Sequence, residues 1–232
     1  MDHLINPIGT IKSPYKEKFA VPRQPRLAPS ATARIELLGE ANNPESVRGL
    51  EEFSHLWLLF LFDQNLQAGW TPTVRPPRLG GNERVGVFAT RSPFRPNGIG
   101  MSAVELKGIS QKDGQVSLEL GSVDLVDGTP VVDIKPYIPY SDSIPQANGG
   151  FAQNEPRQLE VIFSDLAGQQ IRFHSNRQQV TAVITEVLSQ DPRPAYKKNR
   201  PDDKEYAVNL FDLNVKFKVD GEIVVVTSIE RF

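Results

Sequence analysis

Apolar runs in this chain are short, and turn chemistry closes each one. Residues 5–11, 33–38, 85–90, 104–109 and 116–120 are bounded by Gly, Pro, Asn or Asp, which predicts short strands rather than long helices. The 17 glycines and 19 prolines among 232 residues reinforce this, because neither is well tolerated inside a helix. Val104 and Leu106 alternate with Glu105 and Lys107, and Val116, Leu118 and Leu120 with Ser117 and Glu119, as in half-buried strands. The run from Leu56 to Phe62 is apolar on both parities and predicts a central strand covered on both faces. Many short strands at this spacing favour a barrel or sandwich over a doubly wound sheet. In this half only residues 44–52 read as a short helix.

Residues 64–83 carry Gly69, Pro72, Pro76, Pro77, Gly80 and Gly81 and read as a long loop. Trp70, Arg75, Arg78 and Arg84, in or beside it, point to a binding loop. After the linker-like residues 141–150 a second unit begins near Phe151, so the expected division is 1–150 and 151–232. A strand over 159–163 precedes a helix on which Val180, Val183, Ile184, Val187 and Leu188 recur at 3.6-residue spacing, and which Pro192 helps to end. Residues 206–219 and 223–229 flank Asp220-Gly221, a type I′ hairpin signal. The apolar parity shifts between Leu210 and Leu213, which predicts a bulge near Phe211-Asp212. The expected fold class is mainly β, with a small α+β unit at the C-terminal end.

The chain has no cysteine, which excludes disulfides, thiolate metal sites and a cysteine nucleophile, and fits a reducing compartment. The longest apolar run, Leu56 to Phe62, has seven residues against the ~20 needed to span a bilayer, so no membrane association is expected. The N-terminus lacks a basic stretch followed by an apolar one, so a cytoplasmic location is expected. Neither a G-x-G-x-x-G, a P-loop, an H-E-x-x-H nor a G-x-S-x-G motif occurs. Only His3, His55 and His174 supply imidazoles; His55, at the start of an apolar strand, reads as structural, and no metal is expected.

The net charge of −2 conceals strong segregation. Between Ile11 and Arg34 six bases, Lys12, Lys16 and Lys18 among them, face Glu17 alone. Between Arg75 and Arg95 five arginines face Glu83 alone. Residues 110–165 hold nine acids and three bases, which cancels much of this in the total. A polyanion responds to local potential, screened over ~10 Å, so the basic segments fit RNA although the average does not.

Two segments are dense in chemistry. In residues 86–101, Arg91 and Arg95 are set among prolines, with Asn97, and Gly-Ile-Gly-Met leads into the next strand. Preorganised guanidinium forks suit carboxylates or phosphates. In residues 121–137, Asp124, Asp127 and Asp133 interrupt a strand-like sequence; turn formation at Asp127-Gly128 explains one of them, and the others suit a ribose hydroxyl or an amine.

Residues 86–101 and 125–137, together with residues 11–25, 50–57, 70–81 and the C-terminal Gln190-Asp191-Pro192-Arg193-Pro194-Ala195-Tyr196, closely resemble the TrmO (YaeB, TsaA-like) family of tRNA methyltransferases over most of the chain. Gly98 is a departure, where members of that family often carry proline, and a looser turn behind Asn97 is expected. The resemblance implies an N-terminal TsaA-like β-barrel that binds S-adenosylmethionine, a small C-terminal α+β domain, a homodimer and a tRNA partner. It implies N6-methylation of N6-threonylcarbamoyladenosine at position 37, threonine tRNA foremost. It assigns Arg23, Gln24, Pro25, Asp63, Gln64, Arg91, Met101, Asp124, Leu125, Val126 and Asp127 to the cofactor. Asp133, Tyr137, Asp191, Arg193 and Tyr196 would lie at the reacting base, the last three approaching from the second domain of the same or the partner subunit. Lys12, Lys16, Lys18, Arg75, Arg78, Arg95, Asn97, Lys197 and Lys198 would contact tRNA. The residues alone leave open a non-catalytic adenosine- or RNA-binding barrel, and a methyltransferase acting on a small molecule.

Overall fold

The computed structural model describes residues 3–198 and 202–232, except the side chain of Tyr196. Alternation of apolar residues builds a closed antiparallel barrel from β1 (Gly9–Lys12), β2 (Thr32–Leu37), β3 (His55–Leu61), then, after a two-residue ladder of β4 (Thr73–Val74) and β5 (Val85–Gly86), β6 (Ile99–Lys112), β7 (Gln115–Ser122) and β8 (Pro130–Pro136). The order around the barrel is β1-β2-β7-β6-β3-β8, closed by pairing of β8 with β1. Ile11, Ile35, Leu56, Leu58, Phe60, Val104, Leu118, Leu120 and Val131 are among the buried residues of these strands. Full burial of each large aliphatic or aromatic side chain stabilises by roughly 1.5–3 kcal/mol.

Closure corrects several expectations. β3 is buried only at Leu56, Leu58 and Phe60; His55, Trp57, Leu59 and Leu61 face outward and are half-buried, because a barrel wall has one dry face. The first strand begins at Gly9, with Leu4 and Ile5 exposed before it. The strand expected over 85–90 ends at Gly86, where the chain turns over Val87–Ala89 to bury Val87. Residues 44–52 form two separate turns, Pro44–Val47 and Leu50–Glu52, split at Gly49, whose φ is +81°.

The loop after β3 opens with a single helical turn, α1 (Asp63–Leu66), and α2 (Pro139–Asp142) follows the barrel. The C-terminal unit contains α3 (Asp165–Ile171), α4 (Arg177–Ser189) and a four-stranded sheet of β9 (Glu160–Phe163), β10 (Tyr206–Leu210), β11 (Leu213–Asp220) and β12 (Ile223–Arg231), in the order β10-β11-β12-β9. α3, capped by Ser164, has Gly168 and two glutamines in place of a clear apolar stripe and is not expected from sequence. The parity shift at Phe211-Asp212 is a tight reversal between β10 and β11 instead of a bulge: Phe211 takes φ +57°, and Leu210 pairs with Leu213. The next turn lies at Gly221-Glu222, one residue later than expected, with Asp220 paired to Ile223.

The two units share one apolar core and are joined by polar contacts. Residues 14–17 cover the free edge of β10: Phe211 N–H donates to Pro14 O at 2.7 Å, Lys16 N–H to Asn209 O at 3.2 Å, and Asn209 N–H to Glu17 Oε1 at 2.8 Å. Ser30 donates through N–H (2.9 Å) and Oγ (2.7 Å) to Glu186 on α4. An otherwise unpaired strand edge is thereby blocked. Among the described residues no helix is long and apolar enough to cross a membrane.

Candidate active site: a barrel-end cavity opening on a basic groove

At the barrel end where β3 finishes and β6 begins lies a cavity of about 420 Å³, within the range of small-molecule and cofactor sites. Phe60 and Phe62, in edge contact at 5.2 Å between ring centres, form part of its apolar surface. Gly100 makes room for Phe60: a Cβ there would sit 2.3 Å from its ring. Asp63 and Gln64 enter from α1, Met101 and Ser102 from β6, Asp124 to Val126 from the segment after β7, and Arg23 and Gln24 from the loop after β1. Among the described residues no three His, Asp or Glu gather as a metal-ligand set.

The electrostatics centre on Asp124 and Arg91. Burial raises the Asp124 pKa; the Ser102 hydroxyl, donating to Asp124 Oδ1 at 2.6 Å, and the Arg91 charge oppose the rise. Arg91 donates to the Gln24 side chain, and Gln24 in turn donates to the Arg23 carbonyl. The Arg95 guanidinium, also at the cavity, is held by the carbonyls of Thr90 (3.0 Å) and Ser92 (3.4 Å). Lys18 borders the cavity too, its Nζ donating to Gln64 O at 3.2 Å.

Through Lys18, Arg23, Gln24, Arg91 and Pro93 the cavity shares a wall with a larger groove of about 1250 Å³. Arg75 and Arg78 from the long loop, Arg84 just beyond it, and Asp191 to Ala195 of the same chain line it. Burial and the neighbouring Arg78 charge lower the Arg23 pKa, partly offset by Asp191. Asp191 (φ +50°) accepts a forked pair of bonds from buried Arg193, at 2.8 and 3.0 Å, and that pairing raises the Arg193 pKa. Lys198 donates to Asp191 O at 2.5 Å; burial lowers its pKa.

Of the residues assigned to the cofactor from sequence, all but Pro25 and Asp127 border the cavity. Asp127 is occupied elsewhere: its Oδ1 accepts from Ser13 N–H at 2.9 Å and its Oδ2 from Lys16 Nζ at 2.8 Å, which ties residues 13–16 to the barrel and engages Lys16 as well. Asp133 and Tyr137 border neither hollow. Asp133 pairs with Lys135 at 2.9 Å, and Tyr137 packs 5.6 Å from Trp57 on the outer wall. Asn97 is likewise off both hollows, Lys12 pairs with Glu36 at 3.7 Å, and Lys197 with Asp202 at 3.6 Å. The side chain of Tyr196 lies outside the described residues. Sequence reasoning missed Phe60, Phe62 and Ser102. Ser102 had a legible signal, a lone hydroxyl on the inward parity between Gly100 and Val104; the phenyl rings looked like ordinary core.

The chain matches the family model described as the tRNA-methyltransferase O N-terminal domain over residues 10–143 and that of the TrmO C-terminal domain over residues 156–232. It is 56% identical over 214 residues to the tRNA (adenine(37)-N6)-methyltransferase of Escherichia coli, covering 91% of each chain. It is 49% identical to a putative S-adenosylmethionine-dependent methyltransferase of Pseudomonas aeruginosa, covering 93% of this chain and 92% of that one. A crystal structure of TrmO from Pseudomonas aeruginosa superposes with a TM-score of 0.81 at 41% identity, covering 100% of this chain and 98% of that one.

Proposed function

The chain belongs to the tRNA-methyltransferase O family and is a tRNA N6-adenine methyltransferase acting at position 37, and from that premise we propose the substrate and the role of each wall. The substrate is tRNA already carrying N6-threonylcarbamoyladenosine at position 37, threonine tRNA foremost; the product is N6-methyl-N6-threonylcarbamoyladenosine. The observation that carries this reading is the shared wall: a cavity of cofactor size opens directly onto a groove lined by arginines.

The cavity fits S-adenosylmethionine chemically. A desolvated carboxylate, Asp124, suits the amine, the sulfonium or the ribose hydroxyls; Arg91, bonded to an amide rather than to a carboxylate, is free to take an anionic carboxylate. Phe60 and Phe62 offer apolar faces to an adenine ring. When bound, S-adenosylmethionine supplies a methyl carbon already activated on a cationic sulfur. The protein's task is then orientation, which can supply much of the acceleration. Arg95, pinned by two carbonyls, and the Arg193–Asp191 fork are rigid groups on either side of the shared wall and are suited to hold the modified base and its neighbouring phosphates. Tyr196, in the same motif, is assigned to the reacting base with them.

The resemblance that implies this reaction also implies a homodimer, and a tRNA substrate implies a cytoplasmic site of action; a monomer mass by light scattering would remove the dimer. The two matched regions support reading 1–150 and 151–232 as a cofactor unit and a tRNA-contacting unit. The substrate test compares tRNA from a strain lacking the threonylcarbamoyl group with tRNA that carries it. Methyl transfer to the modified tRNA alone is expected; equal transfer to both would refute the substrate assignment.

A further inference from the structure

The groove carries aromatic side chains that contribute little to the core. Phe19 is 63% exposed, Phe88 77%, Phe94 39% and Phe151 40%, and all four line the groove rather than the cavity. Phe19 and Phe88 each stand at the middle of a short turn, Lys18–Ala20 and Val87–Ala89, that buries a smaller neighbour, Ala20 or Val87, and turns the phenyl ring out. Single exposed aromatics are ordinary; four on one concave surface mark a contact site. The same surface holds seven cations and one carboxylate, and that carboxylate is already paired with Arg193. In a chain of net charge −2, this concentrates positive charge beside aromatic faces.

We propose that Phe19 and Phe88 are stacking platforms for unpaired bases, and that the groove therefore binds the anticodon loop as splayed single-stranded RNA, with Arg75, Arg78 and Arg84 tracking its phosphates. The proposal rests on the tRNA reading and specifies its mode. A duplex presents its bases only as edges in its grooves, whereas loop nucleotides offer open faces that phenyl rings stack upon, and interleaved arginines neutralise the backbone. An acidic protein partner would be drawn by the same charge but would not require flat aromatic faces.

The test is equilibrium binding of an anticodon stem-loop to the full chain, read without methyl transfer, so that a failed reaction leaves the stacking question intact. Phe88→Ala and Phe19→Ala should each weaken the stem-loop by about 5- to 150-fold. The slope of log affinity against log salt should stay unchanged. Phe88→Trp should restore binding and Phe88→Leu should not. Arg75→Ala should instead lower the salt slope by about 1. S-adenosylmethionine affinity by calorimetry, unchanged in both phenylalanine variants, shows that they fold. A fully paired RNA duplex of equal charge should bind more weakly and be indifferent to the phenylalanine changes. Phe88→Leu binding like the parent, or the duplex losing as much affinity as the stem-loop in the phenylalanine variants, would overturn the proposal.

Discussion

The carboxyl group of Asp124 borders the cavity in a site that burial strips of water, and its pKa is raised for that reason. The native state thus holds this proton more tightly than the unfolded chain. Stability therefore falls as pH rises from the ordinary carboxylate range through the raised native value, and the loss persists at neutral pH. Asp124→Asn removes the titration while keeping an acceptor for Ser102. Urea unfolding should find it more stable than the parent at neutral pH, with the gap closing in acid. Its cofactor affinity should drop about tenfold or more, because a charged partner is lost. Arg193 presents the opposite case, a buried guanidinium 5% exposed and matched to Asp191. Breaking a buried pair costs about 3–5 kcal/mol. Lys198 Nζ remains 3.9 Å from Asp191 Oδ2, so Arg193→Ala should destabilise by about 3 kcal/mol in the same assay.

Among the elements, the turn before β6 and helix α1 act as one piece. Asn97 (φ +63°) and Gly98 (φ +59°) both lie in the left-handed region, and a Cβ on Gly98 would stand 2.4 Å from the Leu66 side chain. The looser turn expected at Gly98 is instead a tight one against which α1 packs, and proline, held near φ −65°, cannot adopt it. Gly98→Ala should cost about 1–2 kcal/mol from the backbone alone. It should also weaken cofactor binding by displacing Leu66 and with it Asp63 and Gln64, a loss that Leu66→Ala partly restores in calorimetry. Elements whose period is set by one buried face were legible in the sequence: β7 and α4 stand where alternation or 3.6-residue spacing placed them, and β6 contains the expected 104–109 but runs from Ile99 to Lys112. Features decided by a single backbone angle were not, as at Phe211, where a positive φ on an aromatic residue has no compositional signature. The cavity was legible in the residues at Asp124, which interrupts a strand-like sequence, and at Arg91, set among prolines, whereas Asp63 and Gln64 were assigned only through the family resemblance. It was silent where function borrows a core residue such as Phe60, and misleading at Asp127, whose carboxylate is used to tie residues 13–16 in place.

For the whole molecule, the N-terminal segment is the joint. Tyr15 is fully buried, pairs with Leu210 of the C-terminal sheet, and its hydroxyl has no hydrogen-bond partner among the described residues. Burial, with the charges of Glu186 and Asp124, pushes its pKa far above the ordinary phenol range. Tyr15→Phe should therefore stabilise the protein by about 1 kcal/mol in urea unfolding, since a buried hydroxyl left unpaired is a cost. The motif around Asp191 lines the basic groove within the same chain, and that groove meets the cavity at Arg23, Gln24 and Arg91. Whether cavity and groove serve one reaction is tested by position-resolved methyl transfer from labelled S-adenosylmethionine to tRNA bearing N6-threonylcarbamoyladenosine. Label is expected on N6 at position 37, abolished by Arg91→Ala through lost cofactor affinity and by combined Arg75→Ala and Arg78→Ala through lost tRNA affinity. Label on another nucleotide, or undiminished transfer by both variants, would contradict it.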